Sequence, residues 1–177
     1  YIHFENNTKL YEGYFSQGKW DGKGIEYYHN GKKWYECEWK NDKKHGEGIK
    51  YYFSGKKLYE GEWKNDEKHG EGIEYSSNEN NTKLYEGDFS QGKYHGKGIE
   101  YYESGKKMYE GDFSENKWHG KGIKYYDNGN NTKQYEGDFS ENEWDGKGIE
   151  YYESGKKMYE GEWKNDKKHG EGIDYYI

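Results

Sequence analysis

The chain has 177 residues, 29% of them hydrophobic and 36% charged, with 28 lysines set against 35 acidic residues for a net charge of -7. That balance argues against nucleic acid or anionic lipid as a default partner, and a mean hydropathy of -1.67 leaves too little apolar surface for an ordinary aliphatic core. The 20% aromatic content excludes a disordered coil, because 23 Tyr and 7 Trp can bury on the order of 150–250 Å² each.

The first complete unit opens at Tyr11 with Tyr-Glu-Gly, and the same opening returns at Tyr59, Tyr85, Tyr109, Tyr135 and Tyr159. Tyr35 opens a further copy with Cys37 in the glycine position, which makes seven units spaced 24 or 26 residues apart. A fixed period of this size is the mark of stacked repeats. Tyr1 corresponds to Tyr75 of the third unit, so the sequence starts within a repeat and reads as part of a longer chain. We therefore take residues 1–177 as a single array.

Inside the unit that begins at Tyr59, alternation puts Tyr59, Gly61 and Trp63 on one face of a strand. The polar stretch Lys64-Asn65-Asp66-Glu67 turns the chain, and His69-Gly70-Glu71-Gly72-Ile73-Glu74-Tyr75 returns as a second strand. Turns such as Ser54-Gly55-Lys56-Lys57 join one unit to the next. Two strands and two short turns fill 24 residues. The predicted fold is all-β: an elongated, single antiparallel meander of stacked hairpins, open at both ends and roughly 65–70 Å long at ~4.8 Å per strand. With four-residue loops, Trp63 faces Lys68, Gly61 faces Gly70 and Tyr59 faces Gly72, so rings lie over bare glycines. The units carrying Asn-Asn-Thr are longer by two residues, an even number that keeps every side chain on its face.

One exchange runs through all seven copies. Trp39, Trp63 and Trp163 are followed five residues later by Lys44, Lys68 and Lys168, whereas Phe15, Phe89, Phe113 and Phe139 are followed by Trp20, Tyr94, Trp118 and Trp144. Filling of one shared space explains this pattern, as does duplication of two module types.

Tyr-x-Gly-x-Trp followed by His-Gly-x-Gly closely resembles the MORN repeat family, residue by residue at Tyr59, Gly61, Trp63, His69, Gly70 and Gly72 and again at Tyr159, Gly161, Trp163, His169, Gly170 and Gly172. Asp21 and Asp145 in place of His, Cys37 in place of Gly, and Asp66 at a common turn-glycine position are the departures. The resemblance implies an elongated antiparallel sheet. It also implies roles as a scaffold or dimerisation arm in ciliary, cytoskeletal and junctional assemblies, or as an accessory segment of enzymes such as phosphatidylinositol phosphate kinases. Lipid binding is a further role proposed for such repeats.

No catalytic constellation, phosphate loop, cofactor motif or metal-ligand spacing emerges. The repeated His-Gly histidines stand ~10 Å apart, too far to share an ion, and His69 is expected opposite Glu62 instead. We expect no enzyme activity, no cofactor and no small-molecule substrate. The aromatic stripe around Tyr35, Trp39, Tyr59, Trp63, Tyr109, Phe113, Trp118, Tyr159 and Trp163 has two readings: the core of a single sheet, or a groove partly open to a protein partner or a second copy. Lys32, Lys33, Lys56, Lys57, Lys106, Lys107, Lys156 and Lys157 recur in the turns and give the alternative, an anionic-lipid surface. The lone Cys37 suits a reducing, cytoplasmic setting with possible cytoskeletal or ciliary association, and reads as drift at a glycine position rather than as a reactive thiol. Asn6-Asn7-Thr8, Asn80-Asn81-Thr82 and Asn130-Asn131-Thr132 match glycosylation acceptors but are better explained as turns.

Overall fold

The structure, a computed structural model, describes residues 2–5 and 8–176, so part of the first Asn-Asn-Thr segment lies outside the described residues. Among the described residues there are fifteen strands and no helix. They are β1 (Ile2–Glu5), β2 (Thr8–Ser16), β3 (Lys19–Tyr27), β4 (Lys33–Lys40), β5 (Lys43–Tyr51), β6 (Lys57–Lys64), β7 (Glu67–Tyr75), β8 (Lys83–Ser90), β9 (Lys93–Tyr101), β10 (Lys107–Ser114), β11 (Lys117–Tyr125), β12 (Lys133–Ser140), β13 (Glu143–Tyr151), β14 (Lys157–Lys164) and β15 (Lys167–Asp174). Contacts divide the chain into two compact units, one of residues 1–83 with 89–92 and one of residues 84–88 with 93–177. In the first, β1 to β7 pair antiparallel in sequence order; in the second, β9 to β15 do the same. The antiparallel meander expected from the repeats is the fold of both units.

Within each of the seven repeats the hairpin closes on two residues with positive φ, such as Asn65 (52°) with Asp66 (74°) or Glu115 (51°) with Asn116 (68°). This is the mirror-type turn whose twist matches that of paired strands. The loops are therefore shorter than expected, because Lys64 and Glu67 already belong to the ladder. Asp66, in a common glycine position, also clips one hairpin to the one before it: Lys44 donates its backbone N–H to Asp66 Oδ1 at 3.0 Å and its Nζ at 2.8 Å. Asp42, Asn116, Asn142 and Asp166 accept from the backbone N–H of Trp20, Tyr94, Trp118 and Trp144 in the same way. Asp66→Asn is expected to keep the clip and lose little. Asp66→Ala loses the acceptor and strains a positive φ, at about 1.5–2 kcal/mol by urea unfolding.

The register departs from expectation at one point. Trp63 pairs with Lys68 and Glu62 with His69, as read from the sequence, but Gly61 pairs with Gly72 and Tyr59 with Glu74. Gly70, at φ 56°, lets Gly70 and Glu71 bulge out of the ladder, which moves the rest of the pairing along by two residues. Because two is even, no side chain changes face. The even insertion in the Asn-Asn-Thr units behaves likewise: Lys124 pairs with Tyr135 as Lys50 pairs with Tyr59.

Rings do settle on glycine. Tyr59 reaches diagonally, so that a Cβ built on Gly72 would lie 2.5 Å from its Oη and 2.6 Å from its Cε2. The phenol then donates to the backbone oxygen of Glu62 at 2.9 Å. Tyr11, Tyr85, Tyr109, Tyr135 and Tyr159 repeat that bond three residues along their own strands. Tyr11, Tyr59, Tyr85, Tyr109 and Tyr135 are completely buried, although each belongs to a single sheet layer.

The Trp-Lys and Phe-ring exchange has a visible cause. One face of the buried tyrosine is covered in every unit, either by a stacked ring or by an ammonium group. Trp20, Tyr94, Trp118 and Trp144 stack on Tyr11, Tyr85, Tyr109 and Tyr135 at 3.7–4.6 Å between centroids. Where lysine replaces the ring, Lys44, Lys68 and Lys168 place Nζ over Tyr35, Tyr59 and Tyr159 at 4.6, 5.0 and 4.5 Å. Each ammonium is attracted to the ring's negative face, and the larger indole on the neighbouring strand replaces lost aromatic volume.

Candidate functional site

Tyr35, Trp39, Tyr59, Trp63, Tyr109, Phe113, Tyr159 and Trp163 are all 6% exposed or less, and Trp118 is half-buried. The aromatic stripe is thus packed against itself. Tyr109 meets Phe113 and Phe139 edge-on at 5.1 and 5.0 Å while Trp118 stacks on it, which leaves no slot between the rings for a partner. Of the two readings of the stripe, the structure supports core.

The open surface lies on the opposite face. In the second unit a groove of about 1530 Å³ runs across the strands. Its floor is the backbone of the glycine pairs Gly111–Gly122, Gly137–Gly148 and Gly161–Gly172, and its sides include Ile99, Ile123, Ile149 and Ile173. Strand alternation accounts for the placement. Ile123 pairs with Glu110, which lies between Tyr109 and Gly111 and so points away from the tyrosine face. None of these isoleucines belongs to the buried core, which consists of Tyr, Trp, Phe and Cys37. The aliphatic residues of a chain poor in them are displayed on a surface.

A three-residue motif that the sequence reading missed builds one wall. Glu110 accepts from Lys107 Nζ at 2.8 Å and from Tyr125 Oη at 3.2 Å. Glu136 is held by Lys133 and Tyr151, Glu160 by Lys157 and Tyr175, and in the first unit Glu36 by Lys33 and Tyr51 and Glu60 by Lys57 and Tyr75. The Lys107 hydrogen bond holds the Glu110 carboxyl below the ordinary carboxylate range. The signal was present in the recurring Lys-x-Tyr-Glu, for example Lys107-Met108-Tyr109-Glu110, but its bond partner lies 15 residues downstream.

These contacts also occupy the turn lysines. Lys33, Lys57, Lys107 and Lys157 are ion-paired with Glu36, Glu60, Glu110 and Glu160. Lys32 donates to the backbone oxygen of Ser54, Lys56 to those of Asn78 and Glu79, and Lys106 lies 3.7 Å from Asp127, while Lys156 is exposed. Most of this set therefore bonds to groups of the protein itself, with the four ion-paired lysines still 37–44% exposed. Among the described residues, no group of three or more His, Cys, Asp or Glu is placed to hold a metal ion. The Cys37 thiol is buried and pushed up to about 12 by that burial, a state in which it is a poor nucleophile.

On the tyrosine face, Glu100 is a half-buried acid with a defined partner: Trp118 Nε1–H donates to it at 2.7 Å. Burial raises its pKa, partly offset by that bond. A carboxyl raised in the folded state stabilises the fold below its unfolded pKa, and this contribution is lost as pH rises through the folded value. Glu100→Gln keeps an acceptor for Trp118 without the desolvated charge. It should raise the thermal midpoint at pH 7, with the difference closing at pH 4; an equal gain at both pH values would show that charge is not the cause.

Two-stranded hairpins repeated at a fixed period, with rings seated on glycine pairs, define an all-β repeat protein. The MORN repeat family matches residues 11–33, 35–57, 59–80, 85–107, 109–131, 135–157 and 159–173, and the chain belongs to that family. No match to a curated protein was found.

Proposed function

We propose that this chain is a non-catalytic scaffold that holds a protein partner on the face opposite its buried tyrosines. The observation that carries this reading is the groove of about 1530 Å³, in which isoleucines project beside bare glycine backbone instead of packing in the core. A concave groove with partly exposed apolar walls and a charged border is a usual place for proteins to bind other molecules. A lining of glutamate, isoleucine and glycine repeated once per hairpin supports binding along the groove.

A cytoskeletal or ciliary assembly, as the family resemblance suggests, is the setting of this reading. The experiment is affinity capture by the tagged chain from its own cells, with Ile123→Asp/Ile149→Asp as the comparison. Both isoleucines are outside the tyrosine core, so the variant should melt within a few degrees of the parent while losing the captured partner. Undiminished capture by the folded variant would overturn the assignment to this face.

A further inference from the structure

The groove lining contains six glutamates, Glu86, Glu110, Glu136, Glu160, Glu162 and Glu171, against the three lysines Lys97, Lys121 and Lys147. Two of these lysines are already countered, Lys97 by Asp112 at 2.6 Å and Lys121 by Asp138 at 2.7 Å. The pairs holding Glu110, Glu136 and Glu160 leave those carboxylates 42–43% exposed, and exposed pairs of this kind contribute only about 0–1 kcal/mol. An incoming cation can therefore share or replace the internal lysine at little cost. A net charge of -7 adds a long-range preference for a cationic over an anionic partner.

The spacing constrains the occupant further. Glutamate, isoleucine and glycine pair recur once per hairpin, about every 9.6 Å at two strands of ~4.8 Å. A polyproline-like chain has three residues per turn, so every third side chain returns to the same face after about 9.3 Å. From the Gly87 repeat to the Gly172 repeat there are three such intervals, about 29 Å.

We propose, resting on the scaffold reading above, that this groove takes a cationic, polyproline-like protein segment of about ten residues. A lysine or arginine at every third position meets the glutamate row, and an aliphatic side chain beside it settles between successive isoleucines over the glycine backbone.

The test is fluorescence anisotropy with the full chain and a dye-labelled peptide of four Lys-Ile-Ser triplets. It is compared with a Glu-Ile-Ser peptide, a peptide of the same composition shuffled to break the period, and vesicles containing phosphatidylserine. The expected result is micromolar binding of the first peptide alone, weakened on the order of tenfold between 50 and 500 mM salt. Two surface variants outside the tyrosine core keep the result interpretable: Lys147→Glu should tighten binding about threefold and Glu171→Lys should weaken it about threefold. Equal binding of the shuffled or acidic peptide, binding to vesicles instead, or indifference to both variants would overturn the proposal. If the isoleucine-dependent capture holds while the cationic peptide fails, only the partner chemistry falls; if that capture fails too, the scaffold assignment falls with it.

Discussion

Gly72→Ala should cost about 3 kcal/mol or more, whereas Gly18→Ala should cost about 1. Both substitutions add the same methyl group to the same fold, but they meet different surroundings. At Gly18 nothing lies within 4 Å of the added carbon, and the penalty comes from holding alanine at φ 79°. At Gly72 the carbon would lie 2.5 Å from Oη, 2.6 Å from Cε2 and 2.7 Å from Cζ of Tyr59. That ring has no room to retreat. Trp63 and Phe89 meet it edge-on at 5.1 Å each, and the Lys68 ammonium lies 5.0 Å over its face. Overpacking of this kind typically costs 1–3 kcal/mol, and expulsion of a fully buried phenol adds the loss of its burial and of its bond to Glu62. Denaturant unfolding of the two variants beside the parent measures the difference. Costs within 1 kcal/mol of each other would mean that the tyrosine is not seated on the glycine as described.

This seating was legible in the sequence because it depends on spacing, and spacing repeats seven times. Tyr59 and Trp63 share a face by strand alternation, and glycine recurs where a side chain would block them. The exact partner was not legible. The bulge at Gly70 and Glu71 depends on a single positive φ, and a His-Gly-x-Gly string does not reveal which of its two glycines is extended and which is left-handed. The choice between core and open groove for the aromatic stripe was not legible for a related reason. Rings attract attention as binding residues, but a chain with no Val or Ala and little Leu has only its rings from which to build a core. Once the tyrosines are committed there, the isoleucine row is left on the surface. The Lys107–Glu110–Tyr125 group escaped notice because its tyrosine is brought in by the following strand and the extra residue at Met108, which shifts the pairing near Lys107.

Cys37→Gly should stabilise the first unit by about 1 kcal/mol and give Trp63 a hydrogen bond that it lacks. Six of the seven opening tyrosines donate their phenol to a backbone oxygen three residues ahead, but among the described residues Tyr35 forms no such bond. Cys37 is the reason. It pairs with Gly24 on one side and Gly48 on the other, and its Cβ occupies the space over Gly48 that a phenol fills over glycine elsewhere. The disturbance extends to the next hairpin. Trp39 and Trp163 donate Nε1–H to the backbone oxygens of Gly24 and Gly148 at 3.3 Å, and the corresponding acceptor for Trp63 is on Gly48, the glycine opposite Cys37. Trp63 Nε1 is instead buried without a partner, a state that costs about 1–3 kcal/mol. Removal of the thiol gives up some apolar burial and adds about 0.5–1 kcal/mol of backbone entropy to be lost on folding. Two recovered hydrogen bonds outweigh those terms. The thermal midpoint should therefore rise, and the Trp63 indole N–H resonance should move downfield in a ¹H–¹⁵N spectrum as it gains an acceptor. A fall in the midpoint with that resonance unmoved would show that Cys37 is an accommodated residue and not the source of the unpaired indole.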